Sequence, residues 1–387
     1  MGTVVAFGFA AFALAGGFIA QSFEGLKEGT IQTVGQLQVV DRRSVTRTEE
    51  KTLEFGLRDA SRARAIASQE PAVSSVLPRI DFVGLATSGA KSVPYLGIGV
   101  DPEPEARATG ARALVVAGSY LSGDGGDGVV LGTGLASALD VKPGDAITLM
   151  ATTPDGSLNA VDAVVRGLAD VRIKELNDRY LACGIALASR LLQSPETVSK
   201  LVVFLKKGAD EEETARRLGR ELNAAGYPVA IRHWRELAVF YGQVKLLYIG
   251  IFGFVGAVLV VIVILSAAIV MTMAVTERTR EVGTLRALGT RPSGILKMFL
   301  AEGVALALAG CAAGMILALL VRVALNASGI VLPPPPGATH GMPIHVQLYP
   351  FAYAAGLLTM IATMLIASYL PSRKASRMPI VEALAHI

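Results

Sequence analysis

Charged residues vanish from this chain in blocks. Leu246–Val275 is a run of 30 residues without Asp, Glu, Lys or Arg, and Gly303–Val321 is a run of 19. Val323–Ser372 adds 50, broken only by the Pro-rich stretch Pro333–Pro336 and its polar flanks, and Thr3–Ala20 adds 18. A bilayer core takes about 20 apolar residues of helix. The pattern therefore predicts four membrane spans: Thr3–Ala20, Leu246–Val275, Phe299–Val321 and Leu348–Leu370. At about 1.5 Å per residue the second reaches ~45 Å, beyond a ~30 Å hydrocarbon core. It must tilt, or project from the membrane as a stalk. Four core helices of a soluble protein are the competing reading, and several charge-free runs of this length in one chain argue against it.

Composition agrees. Of 387 residues, 52% are hydrophobic and only 18% charged, against about 25% charged in an average soluble domain. Disorder is excluded by the hydrophobicity and the net charge of +4. Two cysteines, Cys183 and Cys311, fall in different regions and build no disulfide framework.

The short loops set the orientation. Segment 276–298 carries Arg278, Arg280, Arg286, Arg291 and Lys297, and the tail carries Arg373, Lys374 and Arg377, whereas 326–347 has no Lys or Arg. The first two belong in the cytoplasm and the third outside. The long segment 21–243 then lies outside; its 26 basic and 28 acidic residues nearly cancel. Ala13-Leu14-Ala15 also reads as a signal-peptide cleavage site. The length of the apolar stretch and its helical continuation through Lys27 favour a retained span. The expected fold is a membrane protein with four transmembrane helices and a large mixed α/β domain inserted between helix 1 and helix 2. Its divisions are helix 1 (1–27), the external domain (28–232), stalk and helix 2 (233–275), cytoplasmic loop (276–298), helix 3 (299–325), Pro-rich external loop (326–347), helix 4 (348–370) and tail (371–387).

Within the external domain, Gln36–Val40, Val93–Val100 and Val129–Gly132 read as strands, and Leu53–Ser68 and Leu135–Leu139 as helices. Thr153-Pro154-Asp155-Gly156 marks a hairpin. Ala209–Ala225 is the clearest helix: four acids open it, Arg216, Arg217 and Arg220 follow, and Ala215, Leu218, Leu222 and Ala225 form a buried stripe. Its charges read as a solvated face. Arg232–Gln243 leads into the second span without a breaker.

Candidate chemistry is sparse. The dipeptide Gly-Lys is absent, so there is no P-loop, and H-E-x-x-H, C-x-x-C and G-x-S-x-G are absent too. Among the four histidines only His340 and His345 are close, too few for a structural metal site. The loop Gly123–Gly128 lacks the spaced ligands and closing Glu of a calcium loop. No basic-aromatic patch suggests nucleic acid. Glu302, near the cytoplasmic end of a span, is expected to pair with a loop cation or stay hydrated at the interface. Gly310 and Gly314 in the third span, and Gly250, Gly253 and Gly256 in the second, suit close helix packing between spans or between two chains.

The loop Thr276-Glu277-Arg278-Thr279-Arg280-Glu281-Val282-Gly283-Thr284-Leu285-Arg286-Ala287-Leu288-Gly289 predicts a short helix with mixed charge on one side and Val282, Leu285 and Leu288 on another. It suits a helix lying on anionic lipid or one docking a cytoplasmic protein. This stretch resembles the E-R-T-R-E-[IV]-G-T-L-R-A-L-G motif of the FtsX/MacB-like (type VII) permeases of ABC transporters. The tail, Pro371-Ser372-Arg373-Lys374-Ala375-Ser376-Arg377-Met378-Pro379-Ile380-Val381-Glu382-Ala383-Leu384, resembles that family's closing motif. Val129–Leu149, Trp234 through Tyr241, and Pro333–Pro336 followed by Gly337 are also similar. In organisation the chain resembles the stand-alone permeases of the lipoprotein-releasing type.

The resemblance implies a location in the bacterial inner membrane with a MacB-like core domain in the periplasm. It implies a second permease, as homodimer or heterodimer, a dimer of cytoplasmic ABC ATPase subunits, and a periplasmic acceptor or adaptor protein. ATP and Mg would sit on the ATPase; this chain would bind no cofactor and catalyse nothing. The helix Glu277–Leu288, with Glu277, Arg278, Arg280, Glu281, Val282, Leu285, Arg286 and Leu288, would seat in an ATPase groove. ATP binding would then move the periplasmic domains (mechanotransmission) to extrude lipoproteins, lipids or amphiphiles. A regulatory permease that controls a periplasmic hydrolase or senses antimicrobial peptides is the alternative. Family members carry a basic segment before the first span, and this sequence opens almost inside the span.

Overall fold

The structure, a computed structural model, describes residues 2–46, 53–123, 126–237, 239–334, 339, 341–379 and 383. Asp124 and Gly125 of the glycine-rich loop, residues 335–337, His340, His386, and 380–382 and Leu384 of the tail motif lie outside the described residues. In chain order the helices are α1 (Gly2–Val34), α2 (Ala60–Ser68), α3 (Pro102–Thr109), α4 (Thr133–Leu139), α5 (Lys174–Asn177), α6 (Ile185–Leu192), α7 (Glu211–Ala224), α8 (Trp234–Leu237), α9 (Val239–Glu277), α10 (Thr279–Ala287), α11 (Pro292–Ser328) and α12 (Pro350–Arg377). The strands of the large sheet are β1 (Leu37–Asp41), β2 (Val73–Thr87), β3 (Ser92–Val100), β4 (Val115–Gly118), β5 (Gly128–Gly132), β6 (Ala146–Thr152), β7 (Leu158–Ala169), β8 (Tyr180–Gly184), β9 (Lys200–Leu205) and β10 (Val229–His233). Two compact units result. One comprises Met1–Leu26, Gly242–Leu332 and Pro343–Ile387; the other Lys27–Tyr241 and Pro333–Met342.

The first unit is built from α1, α9, α11 and α12, each long and apolar enough to cross a bilayer. Helices α1, α9 and α11 outrun their charge-free stretches at both ends and α12 passes its own at the C-terminal end, because lack of charge marks the part fit for lipid, whereas caps decide where a helix stops. Pro292 opens α11 and left-handed Gly329 closes it, while Pro350 opens α12 and Lys374 and Arg377 lie in its last turn. Val5, Phe9 and Ala13 of α1 pack with Val263 and Ala267 of α9, Ala307 and Cys311 of α11, and Met360 and Met364 of α12.

The second unit is a ten-stranded mixed sheet in the order β10-β1-β9-β2-β3-β8-β5-β7-β4, with β6 joining β2 to β7. The pairs β3–β8 and β5–β7 are parallel. On β9 the strand period of two separates the faces: Leu201 and Val203 join the main core with α2, α4, α6 and α7, while Val202 and Phe204 pack with Leu77. The chain comes in on β1 and leaves on β10, neighbours in antiparallel register with Leu37 opposite His233.

Four sequence expectations change here. The helix expected over 53–68 starts only at Ala60, because Leu57 bridges Val198 and Asp59 is left-handed at φ 51°. The unbroken lead-in expected from Arg232 is a strand as far as His233, and helix begins at Trp234. The acidic and basic face of α7 is not all solvated: Glu211 accepts from Trp234 Nε1 at 3.3 Å, and Arg217 pairs at 2.8 Å with the buried Glu70. Thr214 rather than Ala225 completes the buried stripe.

Asp210 caps α7, accepting from the backbone N–H of Glu213 at 3.0 Å and of Glu212 at 2.9 Å. The Glu213 bond is the main cause, against an opposing desolvation and with help from the Glu212 bond, of a carboxyl pKa below the ordinary 3.8. A depressed folded pKa contributes stability above the unfolded value, and that contribution is lost as pH falls through the folded one. Asp210→Asn keeps a capping oxygen without the charge. Its melting temperature is expected to lie below the parent's at pH ~6 and to converge on it as pH falls from the unfolded pKa through the lower folded one.

Candidate functional site

The cytoplasmic elbow of the first unit holds most of the residues singled out by the sequence. Its helix α10 has two faces, set by the 3.6-residue period. Thr279, Val282 and Gly283 point inward and are buried, with Arg286 half-buried beside them. Val282 packs with Val275, Ile295, Phe299 and Ala375, which come from α9, α11 and α12. Arg280, Glu281, Thr284, Leu285 and Leu288 point outward; Leu288 is 79% exposed.

This splits the apolar stripe expected from Val282, Leu285 and Leu288. Steps of three residues turn 300° each, so the side chain drifts around the helix and Val282 ends about 120° away from Leu288. Only Leu285 and Leu288 remain on the surface. Two of the arginines are also engaged within the chain. Arg278 Nη1 lies 3.3 Å from both carboxylate oxygens of Glu302, the cation pairing expected for that carboxylate. Arg286 Nη1 donates to the Met378 carbonyl at 2.5 Å, where α12 has just ended. The cations thus fasten α10 to α11 and to the tail. Glu277, Arg280 and Glu281 stay exposed. Sequence spacing gave no sign of the Arg286–Met378 link, because the acceptor is a backbone oxygen 92 residues away.

The glycines fall into two sets. A Cβ on Gly310 would lie 2.8 Å from the Val5 side chain, and one on Gly314 would lie 2.5 Å from the Ala6 carbonyl oxygen. These two permit close approach of α11 to α1. A Cβ on Gly250, Gly253 or Gly256 would meet nothing within 4 Å. That side of α9 faces away from its own bundle, with Leu246, Ile249 and Phe254 exposed around it.

Other chemistry is thin. Among the described residues no group of three His, Cys, Asp or Glu is placed to hold a metal. Cys183 and Cys311 are free and buried. Burial pushes the Cys183 thiol up to about 12, leaving it protonated and inert at neutral pH.

Comparison with known proteins agrees with this architecture. The MacB-like periplasmic core domain matches residues 3–221, more than half of the chain, and the FtsX-like permease C-terminal region matches residues 253–380. The ABC transporter permease YtrF of Bacillus subtilis is 33% identical over 184 residues, covering 46% of this chain and 41% of YtrF. The lipoprotein-releasing system transmembrane protein LolC of Xylella fastidiosa is 24% identical over 348 residues, covering 85% of this chain and 82% of LolC. The pyoverdine export ATP-binding/permease protein PvdT of Pseudomonas fluorescens is 28% identical over 223 residues, covering 57% of this chain and 29% of PvdT. Four apolar helices and the periplasmic core domain make this a multi-pass inner-membrane protein with its large domain in the periplasm. The chain belongs to the FtsX/MacB-like family of ABC transporter permeases.

Proposed function

We propose that this permease is the membrane subunit of an ATP-driven assembly, converting ATP hydrolysis on a separate cytoplasmic chain into movement of its periplasmic domain. The reading rests on α10, whose inner face is locked into the bundle while its outer face offers Leu285 and Leu288 among Arg280 and Glu281. A rigid support with an exposed apolar pair and mixed charges is what a docking helix needs. The ATPase dimer, with its ATP and Mg, seats there, and a second permease completes the assembly.

The work is delivered outside the membrane rather than through it. Among the described residues, Glu302 in α11 is paired with Arg278, and Arg322 donates to the Val346 carbonyl at 3.1 Å. The spans therefore offer no charged lining for a hydrophilic cargo. Lipoproteins, lipids or other amphiphiles in the outer leaflet are the cargo class that fits, and LolC, by name a lipoprotein-releasing protein, aligns over most of its length.

The assembly purified from native membranes is expected to contain an ATP-hydrolysing chain whose turnover rises when a lipidated peptide is added. Absence of any ATPase would overturn the coupling. An ATPase that ignores amphiphiles, together with a stable periplasmic protein partner, would replace transport by a regulatory role.

A further inference from the structure

The end of the first helix is held in the periplasmic unit by an arrangement unlike an ordinary helix terminus. The last four carbonyls of a helix lack intrahelical partners. In α1 the Ile31 carbonyl accepts from Gly35 N at 2.7 Å, with Gly35 left-handed at φ 75°. The Val34 carbonyl accepts from Gln38 Nε2 at 2.8 Å. The Thr33 carbonyl accepts from Nη1 of Arg79, a residue of β2 in the middle of the sheet.

Arg79 is 4% exposed and uses its other two nitrogens on Glu105 of α3: Nη2 to Oε1 at 2.6 Å and Nε to Oε2 at 3.3 Å. Glu105 is itself 5% exposed. One guanidinium therefore joins three elements: the negative end of α1, the sheet, and the first turns of α3. Beside it, Ile31 packs on Leu77, Val202 and Phe204. A buried ion pair alone adds little net stability, because desolvation offsets the attraction. What the pair achieves here is orientation. Glu105 holds the guanidinium so that its remaining N–H points at the helix end, where a cation also suits the helix dipole.

We infer that Arg79 is a positioning residue that fixes the last turn of α1 rigidly to the periplasmic sheet, with Glu105 orienting it. The fixed joint is independent of cargo. Its use, carrying displacement of the helix into the sheet rather than losing it in a loose turn, rests on the function proposed above.

The test uses the full-length permease with its ATPase in lipid nanodiscs. Single substitutions would leave a charge buried and alone, which can unfold the domain. The informative variant is therefore Arg79→Met with Glu105→Leu, which removes both charges, fills the space and leaves the Thr33 carbonyl without its donor. Spin labels at Gln32→Cys and Arg216→Cys report the helix end against the domain, and labels at Ser157→Cys and Arg216→Cys report the domain alone. All three positions are exposed, and the native Cys183 is buried and unreactive while the core is intact.

The double variant is expected to widen the 32–216 distance distribution roughly twofold, leaving 157–216 unchanged. Unchanged distributions for both pairs would overturn the joint. Widening of both, with Cys183 becoming reactive, would overturn it in favour of a general prop for the domain. With the joint loosened, amphiphile-stimulated turnover is expected to fall roughly tenfold while basal ATP hydrolysis persists. Undiminished stimulation would leave the joint standing and remove its mechanical role.

Discussion

Val282→Asp is expected to abolish recovery of folded permease, whereas Leu285→Asp, three residues away, leaves the permease folded and costs it its ATPase. Val282 is 3% exposed and sits among Val275, Ile295, Phe299 and Ala375. A carboxylate there has no hydrogen-bond donor in that apolar group and must be buried charged or protonated. Either form costs about 4 kcal/mol, a large part of a membrane domain's stability. Thermal melts and size-exclusion profiles in detergent read this directly. Leu285 is already 36% exposed, so an aspartate there is solvated in the free permease. In an assembled interface it would replace an anchor, and about 2 kcal/mol corresponds to roughly 30-fold weaker binding. Co-purification of the ATPase, normalised to permease, measures the loss. Normal co-purification from Leu285→Asp would move the docking surface elsewhere; a normal melt for Val282→Asp would contradict the packing.

Gly314→Leu is the second substitution with a large expected effect. The obstacle there is backbone: the new Cβ would lie 2.5 Å from the Ala6 carbonyl oxygen and 3.0 Å from its Cα. A flexible side chain can rotate away, but a helix backbone cannot, so α1 must shift from α11 and lose its contacts near Val5 and Phe9. The cost is about 3 kcal/mol, read as a lower melting temperature of the purified permease. Gly253→Leu is the internal control. Open space surrounds that position, and the same side chain is expected to leave the melt of the single subunit unchanged. A destabilised Gly253→Leu subunit, or an indifferent Gly314→Leu one, would reverse the assignment of the two glycine sets.

Much of this architecture is legible in the sequence because absence of charge over 18 to 50 residues is a strong signal. The four helices, their order and the place of the inserted domain follow from it. Their lengths do not: α1 continues to Val34 through Glu24, Lys27 and Glu28, because helix formation does not require lipid. Strand β2 was hidden for a different reason. It is buried on both faces from Val76 to Ile80, so it shows no alternation, and Pro78 within it argues against a central strand. At the elbow the sequence marks α10 as special but not which way each residue turns. Val282 and Leu288 have the same chemistry, and only the arrangement of α9, α11 and α12 decides that one is structural and the other free. Arg79 gives no local cue at all, since its partners lie 26 and 46 residues away.

The side-by-side placement of β1 and β10 has a broader consequence. A fold of some two hundred residues whose first and last strands are neighbours takes the chain in and lets it out at adjacent points, as a hairpin turn would. Natural selection is then free to enlarge, trim or exchange that cassette for new cargo or new company, while the lipid-embedded helices keep the same order along the chain.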